Sequence, residues 1–245
     1  MRSIGHGLGA KPSLVITKRR DSTGNFLVHT DVTGSVIEMS LNTSSAATAA
    51  SQYFSANAST FSHYHGHNMD NGWTFVSYCW SEISGFSKFG SYTGNGNSTG
   101  PVVNVGFKPR YVMVKRTDAS NNWTILDSAR SLNNDLKANT AEAEASAPFI
   151  FSNTGFQPNN TYTNSNASGG TYIYAAFADK PPGEIIDSLI DTPTNYEADS
   201  GNNGGNYATL NPLQKSSGST LSNGNLDISM SGAQGTTFAT MAFPA

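Results

Sequence analysis

The chain repeats itself at an interval of 97 residues, and this duplication limits its fold more than any other feature. Residues 9–25 read GAKPSLVITKRRDSTGN and residues 106–122 read GFKPRYVMVKRTDASNN, and eight of these 17 aligned positions are identical. The same interval relates residues 74–82 (TFVSYCWSE) to residues 171–179 (TYIYAAFAD). Because similarity at a fixed interval marks a copied structural unit, the chain is predicted to contain two related modules.

The composition favours short strands joined by tight turns. Only 13% of the residues are charged, and the chain contains 24 glycines, 13 phenylalanines and 10 tyrosines. Aromatic residues are enriched in strands, and a unit of this length matches the size of a β-sandwich domain. We therefore predict an all-β fold of two tandem homologous β-sandwich modules, jelly-roll-like in type, followed by an extended C-terminal arm.

Four segments follow from the repeat. They are predicted to be a first β module (1–84), a turn-rich connection (85–100), a second β module (101–182) and an extended arm or the start of a further domain (183–245).

The clearest core strand is predicted at residues 72–81, with its repeat near residues 171–179. Both faces of this strand are largely apolar, which is typical of a central strand covered on both sides. Trp80 and its equivalent Phe177 are therefore predicted to be core residues.

One strand of the second module has no counterpart in the first. Residues 90–103 end in a predicted strand at Val102 and Val103, and subtracting 97 places its equivalent around and before the first residue. Three explanations are open: the first module is open by nature, it is cut from a longer protein, or it is covered by a neighbouring subunit. Because an unpaired strand edge promotes aggregation, we favour the last two explanations.

Charge and hydropathy argue against several classes of function. A formal net charge of −3 gives no basic surface for nucleic acid. No stretch approaches 18 consecutive apolar residues, so no membrane insertion is expected. Cys79 is the only cysteine, which excludes an internal disulfide, and the glycine-rich segments lack a phosphate-binding signature, so no cofactor is predicted.

Several motifs resemble those of a family of proteins from tailed phages of aquatic bacteria, of the cyanophage and marine-phage type. The resemblance covers roughly residues 5–180. The motifs are HGLG (6–9), YCWSE (78–82), GFSKFGSYTGNG (85–96), GFKPRYVMVKRTD (106–118) and WTILDSAR (123–130).

The function of that tandem module is unknown, but the resemblance implies a virion, and specifically a tail fibre or appendage. It also favours a homotrimer among the symmetric oligomers, with other virion proteins as partners. Residues 191–225 resemble the lead-in to a SPRY or concanavalin-like domain.

Three histidines, His63, His65 and His67, form the sharpest local cluster. In an extended chain they project to one side, and imidazole nitrogens around a symmetry axis could ligate a metal. The alternative is a variable polar loop, because the second copy has no histidine there.

Four tyrosines lie among Asn, Gly and Thr, a setting typical of exposed loops. They are predicted to contact a glycan or a subunit interface, and we rank the interface first because Tyr is enriched there. These tyrosines are Tyr64, Tyr92, Tyr162 and Tyr196.

No catalytic arrangement is evident, so the protein is predicted not to be an enzyme. Asp118, Asp127, Glu142 and Glu144 are close in sequence, but Asp118 repeats as Asp21 in a turn, which indicates a structural role. No G-x-S-x-G motif is present.

The sequence and the resemblance together predict a non-enzymatic structural component of a phage virion, most simply a tail fibre or appendage with a role in attachment to host-surface glycan. A capsid decoration protein and a glycan-cleaving tailspike are the alternatives.

Overall fold

A computed structural model describes residues 2–64 and 72–179, together with four later strands, 210–215, 219–222, 227–230 and 237–239. The chain divides into two compact units, Met1–Pro182 and Gly183–Ala245. Every regular element in the described residues is a β-strand, and every strand pair is antiparallel. The predicted all-β fold is therefore confirmed, and the described part of the chain holds no helix able to span a membrane.

Seventeen strands build the first unit, eight in its first half and nine in its second. The strands of the first half are β1 (Arg2–Gly5), β2 (Leu14–Arg19), β3 (Phe26–Thr30), β4 (Ile37–Ser40), β5 (Thr48–Ala49), β6 (Phe54–Ala56), β7 (Thr60–His63) and β8 (Phe75–Trp80). Those of the second half are β9 (Ser87–Thr93), β10 (Val103–Asn104), β11 (Pro109–Arg116), β12 (Thr124–Asp127), β13 (Asn134–Asp135), β14 (Ala145–Ser146), β15 (Phe149–Phe151), β16 (Gly155–Pro158) and β17 (Thr171–Ala178).

Each half contains one large and one small sheet with matching connections. In the first half the large sheet has the order β5-β4-β3-β2-β8 and the small one β1-β7-β6. In the second half the orders are β12-β11-β17-β9 and β10-β16-β15, while β13 pairs with β14, and Leu136, just after β13, forms one bridge with Ile125 of β12. The central strand β11 thus pairs with β12 and β17 as β2 pairs with β3 and β8.

The segment between the halves differs from the expected turn-rich connection. Its residues Ser87–Thr93 form β9, a strand of seven residues that pairs with β17 along its whole length. The second half therefore gains an edge strand that the described residues of the first half lack.

Four sheets are stacked in the order small, large, large, small. Successive residues of each central strand face opposite sides of its large sheet, so one side packs on the small sheet and the other on the second large sheet. In β2, Val15 packs against Phe54 and Phe61 of the first small sheet. The neighbouring Ile16 instead joins a cluster that contains Met113 and other residues of the second half. We call this cluster, which both large sheets form, the shared core.

The shared core makes the two halves one compact unit rather than two separate sandwiches on a linker. Its buried members are Leu14, Ile16, Val28, Met39, Phe89, Met113, Trp123, Ile173 and Ala175. A third cluster fills the space between the large and small sheets of the second half, with Val112, Leu126 and Phe156 at its centre.

The prediction of a central strand covered on both sides is met by β17 but is wrong for β8. β17 lies between β11 and β9, whereas β8 is the last strand of its sheet, and its Tyr78 is 50% exposed. Trp80 and Phe177 are only partly buried and pack against the margin of the shared core. An apolar composition therefore does not show that β8 is a central strand. Among the described residues, no strand pairs with its outer edge.

In the second unit the described residues form paired strands instead of a single extended arm. β18 (Leu210–Lys215) pairs with β21 (Thr237–Ala239), and β19 (Ser219–Ser222) pairs with β20 (Asp227–Met230).

Lys115 in β11 is fully buried, an unusual position for a lysine. Its Nζ donates a hydrogen bond of 2.6 Å to the carbonyl oxygen of Arg116. Burial, reinforced by the charge of Arg116, lowers the pKa of Lys115 from 10.5 to about 8. The ammonium form still predominates at neutral pH, but the folded protein loses this proton at a lower pH than the unfolded chain does.

Stability should therefore rise with pH just above neutrality. Between the folded and unfolded pKa values, the unfolded chain binds a proton at Lys115 that the folded chain has lost, so the free energy of unfolding increases. From about pH 7.5 to about pH 9.5 we expect a gain of about 2 kcal/mol from this group. Burial raises the pKa of Cys79 and of several tyrosines, which opposes the gain equally in both proteins, so urea unfolding should show this gain in the wild type relative to Lys115→Met. Parallel pH profiles for the two proteins would contradict the assignment.

Candidate functional site

Both halves contain the same ion pair at the turn that follows the central strand. In the first half, Arg19 Nε lies 2.6 Å from Asp21, and Thr74 N donates to the same carboxylate at 3.0 Å. In the second half, Arg116 Nε lies 2.8 Å from Asp118. The hydrogen bond from each arginine holds the pKa of its aspartate below the ordinary value. Because the pair recurs, it is a structural feature of the fold, as expected for Asp118.

Trp73, in contrast, has no aromatic counterpart at the equivalent position of the second half. The guanidinium carbon of Arg19 lies 3.4 Å from the centre of the Trp73 ring, and the ring of Phe75 lies 6.4 Å away. The position 97 residues later is Gly170, where an added Cβ would lie 3.2 Å from Arg116 Nε. The fold therefore does not require an aromatic ring here, which makes Trp73 a candidate for a specific role.

A cleft of about 140 Å³ opens beside this ring, and we call it the Trp73 cleft. Its walls include Trp73, Phe75 and Arg19, together with the polar Thr23 and Asn25 of the turn. Because Arg19 is already paired with an aspartate, the cleft combines aromatic surface with hydrogen-bonding groups and little net charge. Such a lining suits a small ring that has an apolar face and hydroxyl groups at its rim.

A second unusual feature is a group of polar side chains buried between the two sheets of the first half. Thr17 Oγ1 lies 2.9 Å from Ser77 Oγ and 3.4 Å from His63 Nε2. His29, which is 1% exposed, places its Nε2 2.9 Å from a carboxylate oxygen of Glu38. The rings of the two histidines are 5.0 Å apart, so the five residues form one polar cluster.

The second half places apolar or aromatic residues at three of these positions. Val114 stands 97 residues after Thr17, Leu126 after His29, and Tyr174 after Ser77. Comparing the two copies position by position would have identified both the buried polar cluster and Trp73 from the sequence. Shared motifs do not predict either feature, because both lie at positions where the two copies differ.

A family model for a domain of unknown function, DUF7483, matches residues 1–181. The chain belongs to the DUF7483 family. No curated protein matches the chain, and no solved structure does. The matched range covers both halves and ends within one residue of the first compact unit, so the DUF7483 domain corresponds to the whole four-layer stack.

Of the three predicted metal ligands, only His63 lies among the residues that the structure describes. His63 points into the sandwich, is 7% exposed and contacts Thr17. His65 and His67 lie outside the described residues. Among the described residues, no group of three or more His, Cys, Asp or Glu is arranged to hold a metal.

The four candidate tyrosines of the DUF7483 chain have different environments. Tyr64 and Tyr162 are exposed, at 42% and 44%, and Tyr196 lies outside the described residues. Tyr92 is not a loop residue, because it belongs to β9, where its ring stacks at 5.0 Å on Tyr172. Its hydroxyl donates to the Ser165 carbonyl at 2.7 Å, and burial raises the pKa of Tyr92 well above its ordinary value.

Three of the four acidic residues named as catalytic candidates are held in local ion pairs. Asp118 pairs with Arg116, and Asp127 lies 3.5 Å from Arg110 Nε. The third, Glu144, pairs with an arginine of the preceding loop. Each of these three carboxylates is therefore engaged locally by an arginine.

Proposed function

We propose that this DUF7483 chain is a non-enzymatic structural component of a phage virion, part of a tail fibre or similar appendage. In this proposal it assembles as a homo-oligomer, for which the resemblance favours a trimer, and it binds a host-surface glycan through the Trp73 cleft. The virion setting is supported by the motifs that resemble proteins of tailed phages.

The stacked pair of Arg19 and Trp73 is the observation that carries glycan binding. The guanidinium carbon of Arg19 lies 3.4 Å from the centre of the Trp73 ring, and this stacking holds the indole in place before any ligand binds. Asn25 and Thr23 provide amide and hydroxyl groups on the adjoining wall. A sugar ring could place its apolar face on the indole and its hydroxyl groups against these side chains.

Replacing Trp73 with alanine should weaken glycan binding at least about tenfold, because truncating a central aromatic contact commonly costs more than about 1.4 kcal/mol. The probe is surface polysaccharide purified from the host cells on which the particle is grown, immobilised for surface plasmon resonance. Trp73→Phe keeps a ring in the cleft and should retain part of the affinity.

Tyr162→Ala provides the comparison, since Tyr162 is an exposed tyrosine of the second half that the sequence also suggested as a glycan contact, far from this cleft in the sequence. Equal losses for Trp73→Ala and Tyr162→Ala would argue against the cleft. Mass spectrometry of purified particles tests the virion setting separately, and absence of the chain from them would remove it. Release of reducing ends from the polysaccharide would instead favour the tailspike enzyme.

A further inference from the structure

The outer side of β8 is an unpaired strand edge among the residues that the structure describes. Its inner side pairs with β2, and Arg20 N donates to the Thr74 carbonyl oxygen at 2.8 Å just beyond this pairing. Because hydrogen-bonding direction alternates along an antiparallel strand, the N–H and C=O groups of Phe75, Ser77 and Cys79 point outwards.

The second half shows what such an edge accepts. β17 is the equivalent of β8, and its outer side pairs with β9 from Thr171↔Thr93 to Phe177↔Ser87. One further backbone hydrogen bond closes each end of this pairing, Gly94 N to Gly170 O at 2.8 Å and Ala178 N to Phe86 O at 2.7 Å.

Aromatic side chains of β9 also cover rings of β17. Phe89 meets Phe177 edge to face at 5.6 Å, and Tyr92 stacks on Tyr172 at 5.0 Å. Phe89 is 4% exposed and belongs to the shared core. The added strand therefore contributes both backbone hydrogen bonds and buried aromatic surface.

In the first half, the same positions of β8 carry aromatic rings without this cover. Phe75 stands at the position of Tyr172, and Trp80 at that of Phe177. Between them, Tyr78 is 50% exposed and stacks on Trp80 at 6.2 Å. β8 contains no proline and no charged residue, which are the usual protections of a free edge.

We propose that the outer edge of β8 binds an antiparallel strand of another polypeptide whose side chains follow the pattern of β9. In register, its Phe would lie opposite Tyr78 and its Tyr opposite Phe75, with a small residue opposite Ser77. The added strand would extend the five-stranded sheet to six by β-augmentation.

The test uses the full chain and a fluorescently labelled peptide that carries residues 85–96 (GFSKFGSYTGNG), followed by fluorescence anisotropy. Ser77→Pro removes the central outward N–H, whereas Ser77→Ala keeps it, and both lose the hydroxyl contact with Thr17. Binding should be saturable for the wild type, change less than about twofold in Ser77→Ala and weaken at least about tenfold in Ser77→Pro. A peptide with serine at the positions of Phe89 and Tyr92 should not bind.

Hydrogen exchange on the wild type locates the bound strand and does not depend on any variant folding. Peptide binding should protect the amides of Phe75, Ser77 and Cys79. No saturable binding, or protection elsewhere, would overturn the proposal. Self-association of the chain that is lost in Ser77→Pro would also overturn it, because the edge would then be covered by a second copy.

Discussion

Replacing Trp123 with alanine should lower the free energy of unfolding by about 3–5 kcal/mol, the range for a large aromatic side chain in a packed core. Trp123 is 1% exposed and belongs to the shared core. Its Nε1 donates a hydrogen bond of 3.0 Å to the Ser40 carbonyl oxygen, so the side chain joins the second half to the first. Urea unfolding followed by circular dichroism provides the measurement.

The duplicated sequence supplies a matched control for this substitution. Phe26 occupies the same position in the first half, and its backbone N–H bonds to Asn42 as that of Trp123 bonds to Asn139, each at 2.9 Å. Phe26 is 37% exposed, so Phe26→Ala should cost less than about 1 kcal/mol. Equal costs for the two substitutions would show that the shared core does not depend on Trp123.

Replacing Gly155 with alanine should cost about 3 kcal/mol, because the added methyl group has no space. A Cβ at this position would lie 1.9 Å from the Val103 carbonyl oxygen, a backbone atom that cannot rotate away. β10 would have to move away from β16, although the two strands share only two registered residue pairs. The adjoining hydrogen bond from Val105 N to the Thr154 carbonyl, 2.8 Å long, would be disturbed as well.

Gly5 is the control for Gly155, because it undergoes the same chemical change in the corresponding strand pair. In the first half, Gly5 pairs with Thr60, whereas in the second Asn104 pairs with Gly155, so the glycine lies on opposite strands. A Cβ on Gly5 would be 3.9 Å from the nearest backbone oxygen, an ordinary contact. Gly5→Ala should therefore be tolerated, and thermal unfolding midpoints compare the two directly. A Gly155→Ala protein as stable as Gly5→Ala would show that β10 can shift at little cost.

The sequence was sufficient to predict strands where the local pattern and the repeat agree. The segments that follow Pro12 and Pro109 contain branched apolar residues and a turn, and they form the central hairpins of both large sheets. The alignment could not predict which faces pack together. Ile16 and Met113 are apolar residues at equivalent positions of the two copies, and the alignment does not show that they pack in one cluster.

Residues whose role depends on distant contacts were harder to predict. Tyr92 has the Asn- and Gly-rich neighbours of a loop residue, but Tyr172, 80 positions later, turns it into a core contact. Arg19 and Trp73 are separated by 54 positions, and nothing local indicates that they stack. The buried His29 and Glu38 belong to the same class, because their pairing depends on the register of β3 against β4.

The order of the four layers has a consequence for how such chains can be lengthened. Each large sheet already packs against its small sheet on one face and against the other large sheet on the opposite face. A third repeat added to the chain would therefore have no free face of a large sheet to pack against. A further repeat would have to pair edge to edge with a strand of an existing sheet, or form a separate stack with another added repeat.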